Sequence, residues 1–242
     1  MGAINGTWTV PAEFLLGVLS MSRTALLLGG TGLVGGHCLN QLVTDSRYSR
    51  VTALTRRPFS RVDKSEGHLD ARVVNFDRLA EQWDFTATDV YCCLGTTMSS
   101  SRETFQRVDH DYTVEAARLA HEAGGRRLAI VSAVGADPRS RISMLRVKGE
   151  TERDVAALGY DCVEIFQPGT LLGDRTKRRS GQGIANAIGP MVARVMLGSL
   201  RRFRPVRSEA VAMAMIAALQ LDKPGVHAHT NEEIMALAAT AE

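Results

Sequence analysis

The sequence predicts an α/β protein: a doubly wound Rossmann fold, with a parallel sheet, helices on both faces and a small C-terminal substrate-side cap. Three observations carry this. An apolar strand, Leu26 to Leu28, runs into a glycine-spaced turn of Gly29, Gly32 and Gly35 and then a helical stripe of Val34, Cys38 and Leu42. Strand-like and helix-like runs then alternate as far as Phe166, the pattern of a parallel sheet. At 242 residues, 45% of them hydrophobic, the chain is long enough to bury a large core.

Each element has its own signal. Residues 51–55 read as strand two and, after a polar loop, residues 72–76 as strand three, with 89–94 as strand four. Ser100 and Glu103 have the spacing of a capping box, which opens a long helix with the stripe Phe105, Val108, Tyr112, Ala116, Leu119 and Ala123. Gly124 and Gly125 end it. Residues 127–132 are strand five, 142–158 a helix and 161–166 strand six. Right-handed crossovers favour the strand order 3-2-1-4-5-6, with a ligand over the carboxyl ends where the order reverses. Beyond Gly169, helices are expected near 184–197, at Ser208–Leu221 and near 232–239, together with a final sheet edge. The chain is therefore read as one domain over 23–242, with 169–221 as the cap region. Residues 1–22 read as an N-terminal extension that is expected to be disordered.

Composition narrows the partners. The formal net charge is only +3, so charge alone does not argue for nucleic acid. Basic residues cluster at Arg175, Lys177, Arg178 and Arg179 and at Arg201, Arg202, Arg204 and Arg207; a solvated surface is favoured over a polyanion site. Cys38, Cys92, Cys93 and Cys162 fall in apolar segments without metal-ligand spacing. They read as reduced core thiols of a cytoplasmic protein, and no metal site is expected. The apolar run from Phe14 to Leu19 has no preceding Lys or Arg and is too short to span a bilayer, so no membrane association is expected.

The glycine turn is suited to a dinucleotide pyrophosphate. Gly29 can turn tightly, Gly32 admits the phosphates without a Cβ in the way, and Gly35 lets the helix pack close to the strand. The first N–H groups of the helix, around Thr31, Leu33 and Val34, then face an anion. A site selective for the unphosphorylated dinucleotide places Asp or Glu at the end of strand two, about 20 residues past the glycines. Here the chain has Thr55, Arg56 and Arg57. A carboxylate would repel a 2′-phosphate whereas a guanidinium pairs with it, so NADP(H) is expected, with Arg56 the main contact and Arg57 its helper. Asp77, in the segment read as the end of strand three, either meets the adenine or caps the next helix. Leu94, Gly95 and Thr96 close strand four. Gly95 would allow close approach and Thr96 would offer a hydroxyl; a plain turn is the alternative.

These segments, with Arg107 to Tyr112, Ser132 with Gly135 to Asp137, Val147 to Glu150, and Pro168 and Gly169 leading to Asp174 and Arg175, resemble the short-chain dehydrogenase/reductase superfamily in its extended or atypical branch. More narrowly, they are similar to the Tat-interacting-protein-like group of NADP-binding proteins. The resemblance covers residues 24–175. It implies an oxidoreductase or epimerase in which a Tyr four residues before a Lys moves a proton, the Lys binds the nicotinamide ribose, and a Ser orients the substrate carbonyl. Lys148 and Ser132 sit at the matching positions, as does Pro168 on the cofactor side. A homodimer through the long helix pair is also implied.

Two residues depart from that pattern. The position four before Lys148 is Met144, whose thioether has no exchangeable proton. Gln167 stands where the resemblance leads one to expect Arg. Met144 also continues the apolar stripe of Val147, Thr151, Val155 and Leu158, which favours a packing role. Tyr112 and Asp109 could substitute in the cleft, but packing and helix-to-helix hydrogen bonding are favoured for them. For Lys148 the alternative to the ribose is a surface ion pair with Glu152. The chain is expected to bind NADP(H) with weak or no turnover by the usual route. The alternative is an active NADP-dependent enzyme on a small carbonyl or sugar-nucleotide substrate, its proton passing through water, Ser132 or Tyr112; a protein partner is the expectation if there is no turnover.

Overall fold

The computed structural model describes residues 22–59, 68–82, 84–96, 100–173 and 202–240. The N-terminal extension up to residue 21, the expected helix at 184–197 and the basic cluster at 175–179 lie outside them. The first strand, β1 (Arg23–Leu28), is apolar on both faces because it lies mid-sheet: Ala25 and Leu27 enter one core cluster, Leu26 and Leu28 the other. It pairs in parallel with β2 (Tyr48–Thr55) and β4 (Asp89–Cys92); β2 pairs in turn with β3 (Leu69–Val73), and beyond β4 follow β5 (Arg127–Val131), β6 (Cys162–Phe166) and β9 (Gly225–His229), all parallel. The order is β3-β2-β1-β4-β5-β6-β9, so the expected six-strand order is present with a seventh strand at the edge. A two-stranded parallel sheet of β7 (Leu171–Leu172) and β8 (Val206–Arg207) lies apart from it.

Helices cover both faces. α1 (Leu33–Thr44), α6 (Ser208–Leu221) and α7 (Asn231–Ala239) bury Cys38, Leu42, Met215, Leu219 and Ile234 on one side. α2 (Leu79–Gln82), α4 (Tyr112–Glu122) and α5 (Ser143–Ala156) bury Leu79, Ala116, Ala120 and Val155 on the other. Fully buried leucines of this kind each contribute about 1.5–3 kcal/mol of transfer free energy. The sequence groups Ser208–Leu221 with the cap; in the structure this helix packs beside α1 on the sheet, as its burial on several sides requires.

Three boundaries differ from expectation. Strand three ends at Val73 and not at residue 76, because the Asn75 side chain accepts the Asp77 N–H and turns Phe76–Arg78 into a 3₁₀ turn. The long helix is capped by Ser101 rather than Ser100, its hydroxyl accepting the Thr104 N–H at 3.2 Å, and opens as α3 (Arg102–Phe105). It then widens into a π-helical segment, Gln106–Asp111, before α4; the apolar spacing alone gives no sign of this.

At the amino ends of the strands, Asp89 is fully buried. It accepts from Tyr48 Oη at 2.7 Å and from Arg127 Nε at 2.6 Å. Burial and the Asp89 charge push the Tyr48 phenol up, so it stays neutral and donates. Removing the carboxylate would leave the enclosed Arg127 with only the exposed Asp222, 3.1 Å away, as counter-charge. Asp89→Ala is therefore expected to lower stability by about 3–5 kcal/mol in urea unfolding; a loss below about 1 kcal/mol would show that the pair is not a structural requirement.

Candidate functional site

The turn after β1 excludes a side chain at two of its glycines, Gly29 and Gly35. Gly29 has φ +80°, and a Cβ there would stand 2.4 Å from the Cys93 carbonyl oxygen. A Cβ on Gly35 would stand 2.1 Å from the Gly29 oxygen, so this glycine sets how closely α1 approaches the strand. The Gly32 N–H donates to the Gly29 oxygen at 2.8 Å, and Gly32 then caps α1 with no side-chain acceptor. With no acidic residue in its first turn either, the helix presents its leading N–H groups to an anion. This cradle fits a diphosphate.

Thr31 is exposed at the turn and Leu33 is half-buried, while the Val34 side chain belongs to the core, which leaves its main chain for any ligand. Arg56 and Arg57 are exposed at the carboxyl end of β2. Arg56 shares a cavity of about 590 Å³ with Val73, Val74, Asn75, Phe76, Asp77 and Tyr112. Asp77 does not cap the turn; Asn75 does. Its carboxylate accepts from Tyr112 Oη and pairs with Arg107 at 2.6 Å, and the Tyr112 hydrogen bond and the Arg107 charge hold its carboxyl below the usual range. Tyr112 therefore serves the β3 end of the cleft, and its ring packs on Phe76.

A second constellation gathers at the carboxyl ends of β4, β5 and β6. The π-helical turn carries Asp109, 2% exposed, beneath the loop after β4. Asp109 accepts the Thr96 N–H and hydroxyl, both at 2.8 Å, and pairs with Lys148 Nζ at 2.9 Å. Lys148 also donates to the Val131 oxygen at 3.2 Å. In place of the alternative surface pair with Glu152, Lys148 forms a buried pair with Asp109. The Thr96 hydroxyl hydrogen is spent on Asp109, Gly95 stays exposed, and Leu94 packs on the core. Pro168 is buried with its carbonyl accepting the Val134 N–H at 3.0 Å.

Ser132, just past β5, donates its hydroxyl to Glu152, and Gln167, just past β6, donates Nε2 to both Glu152 oxygens at 3.0 and 2.9 Å. Burial pushes the Glu152 carboxyl up, against the hydrogen bonds from Ser132 and Gln167 and the charge of Lys148. Residues 144, 148 and 152 are one helical turn apart, so Met144, Lys148 and Glu152 lie along one face of α5, with Met144 half-buried. The sequence offered the i, i+4, i+8 spacing of these three but not the partners that Glu152 would find on two strands. Among the described residues no cluster of His, Cys, Asp and Glu could hold a metal ion, and no helix is long and apolar enough to cross a membrane.

Comparison with known proteins gives a consistent picture. A family model described as NAD(P)H-binding matches residues 29–199. Protein HTATIP2 of Rattus norvegicus is 35% identical over 167 residues, which span 68% of this chain and 69% of that protein. Protein FMP52, mitochondrial, of Saccharomyces cerevisiae is 31% identical over 225 residues, spanning 90% and 97%. Among solved structures, MoeE5 in complex with UDP-glucose and NAD superposes with a TM-score of 0.61 at 16% identity, over 90% of this chain and 81% of the other. The UDP-N-acetylglucosamine 4-epimerase from Methanobrevibacter ruminantium M1 gives 0.61 at 12%, over 90% and 81%. At such identities the structural likeness is one of fold.

Because Asp109 is enclosed with Lys148, Asp109→Ala leaves an ammonium buried without its counter-charge. An expected loss of about 3–5 kcal/mol in chemical unfolding checks this; unchanged stability would mean that Lys148 reaches solvent.

Proposed function

The chain belongs to the NAD(P)H-binding family, as an atypical short-chain dehydrogenase/reductase of the Tat-interacting-protein-like group, and from that premise we propose that it binds NADP(H) while the family's phenol-driven turnover is weak or absent. The observation that carries the cofactor choice is the cavity at the end of β2, where the strand is followed by Arg56 and Arg57 rather than by a carboxylate and Arg56 joins the lining. A 2′-phosphate there would pair with Arg56, with Arg57 beside it. Asp77 in the same cavity is already matched by Arg107 and Tyr112, so its charge does not oppose the phosphate.

The other contacts follow the chain. The N–H groups of Leu33, Val34 and Gly35 would receive the pyrophosphate, next to Thr31, Gly29 and Gly32. Lys148 has three hydrogens; two go to Asp109 and Val131, and the third would reach a nicotinamide ribose hydroxyl. When bound, the reduced cofactor supplies a hydride. The missing element is an acid beside Lys148: Met144 offers no proton, and Tyr112 is engaged with Asp77.

A second reading is slow reduction of a small carbonyl or sugar-nucleotide substrate by a substitute acid, and the Ser132 to Glu152 hydrogen bond favours it. Residues 23–242 form one domain in this proposal, with homodimerisation through the long helices. The four free thiols support a reducing compartment. The cytoplasm fits that chemistry, and so does the mitochondrial location named for the fungal relatives.

Calorimetry should show NADPH binding more tightly than NADH, with Arg56→Ala weakening NADPH by about tenfold or more and leaving NADH unchanged. Equal affinities in the wild type contradict the cofactor choice. In an NADPH-oxidation assay over aldehydes, ketones and quinones, Met144→Tyr should exceed the wild type by about 10²-fold or more; a wild type as fast as the variant overturns the proposal of a missing acid.

A further inference from the structure

We propose that Glu152 is the proton store of this cleft, passing a proton through Ser132 Oγ to the oxygen of a carbonyl substrate as that carbonyl is reduced. This rests on the oxidoreductase reading of the same site and supplies the group it lacks. Ser132 sits at the carboxyl end of β5, where parallel sheets of this order place their ligands, and its hydroxyl is bonded to Glu152. Glu152 acts through Ser132 and is a positioning and proton-holding residue rather than one that touches substrate.

The surroundings of Glu152 let it take up and give back a proton. Its strand-side partners are a hydroxyl and a neutral amide, Ser132 and Gln167. The nearest cation, Lys148, is one turn away on α5 and is itself matched by Asp109. On the packed neighbours, His110 of the π-helical segment is held by Asp111 and Asp154, and Glu115 of α4 pairs with Arg118. Arg102 and Glu103 of α3 are exposed. Glu164 of β6 shares with Cys162 and Phe166 the opposite face of the sheet, where it bonds His229. On α5 itself, Arg153 pairs with Asp154 and Arg146 lies 4.0 Å from Glu150. Burial therefore dominates, and the carboxyl stays protonated to a higher pH than an exposed glutamate.

Protonation reverses the hydrogen bond. An ionised Glu152 accepts from Ser132, which holds the serine hydrogen away from a ligand. A protonated Glu152 donates to Ser132 Oγ, and the serine hydrogen becomes available to a carbonyl oxygen while Gln167 still donates to Glu152 Oε2. In the reduction, the substrate carbonyl carbon gains a hydride from the reduced nicotinamide dinucleotide, which is thereby oxidised. The C=O π pair forms the new O–H bond with the Ser132 proton, Ser132 regains a proton from Glu152, and solvent reprotonates the carboxylate.

The test uses the full chain without added cofactor, labelled with ¹³C at the glutamate carboxyl carbons, the Glu152 signal being identified by its loss in Glu152→Gln. Its titration midpoint should lie above the other glutamates. Gln167→Arg, which brings a cation, should move it down by about one pH unit or more, and Gln167→Leu, which removes the amide donors, should move it up. The pH profile of NADPH-dependent carbonyl reduction should follow the same midpoint in all three proteins, the rate falling about tenfold per pH unit above it. A Glu152 midpoint at the ordinary glutamate value, or a rate profile that ignores the Gln167 variants, overturns the relay. Binding and turnover together separate the two levels: carbonyl reduction with an ordinary Glu152 midpoint overturns the relay alone, whereas NADPH fluorescence showing a bound cofactor without carbonyl reduction, or no binding at all, overturns the oxidoreductase reading and the relay with it.

Discussion

The approach of α1 to the loop after β4, across a turn with no room for a Cβ at Gly29 or Gly35, is the constraint on which the rest depends. With Gly29 in the left-handed region and Gly35 against the Gly29 carbonyl, the start of α1 is fixed over the carboxyl ends of β1 and β4. That placement exposes uncapped N–H groups next to the crevice where the strand order reverses. The loop after β4 is held in turn from below, because Thr96 donates twice to Asp109. Two backbone constraints thus define one edge of the cleft before any catalytic side chain is considered.

The opposite edge is organised by two carboxylates with different fates. Asp109 is paired with Lys148 and hydrogen-bonded to Thr96, so its charge is matched. Glu152, two turns beyond Met144 on α5, faces a hydroxyl and an amide and has no cation of its own. The same helix face therefore carries an apolar residue, a matched cation and an unmatched acid in succession. Met144 offers no exchangeable proton, and Gln167 brings Glu152 hydrogen bonds without a charge, so burial leaves that carboxyl easier to protonate.

Much of this was legible in the residues. The glycine spacing, the apolar run of β1 and the alternation of elements fix a doubly wound sheet, since a strand buried on both faces has few other solutions. Ser208–Leu221 was readable as a helix, but its place beside α1 was not, because burial on several sides needs the partner helices to be known. Strand three was misjudged at its end because the Asn75 hydrogen bond competes locally with strand propensity. The π-helical turn leaves no trace in a stripe that also suits an α-helix, so the residues point to helix-to-helix bonding for Asp109 but not to Lys148 as its partner. Glu152 was visible as a neighbour of Lys148 four residues on, yet its partners come from β5 and β6, far away in sequence.

A crystal structure of the protein grown with NADPH tests the central claim most directly. The account predicts the pyrophosphate on the N–H groups that open α1, the 2′-phosphate against Arg56, and a ribose hydroxyl within hydrogen-bond reach of Lys148. A glycine turn without the nucleotide at saturating NADPH, or a 2′-phosphate directed away from Arg56, would contradict it.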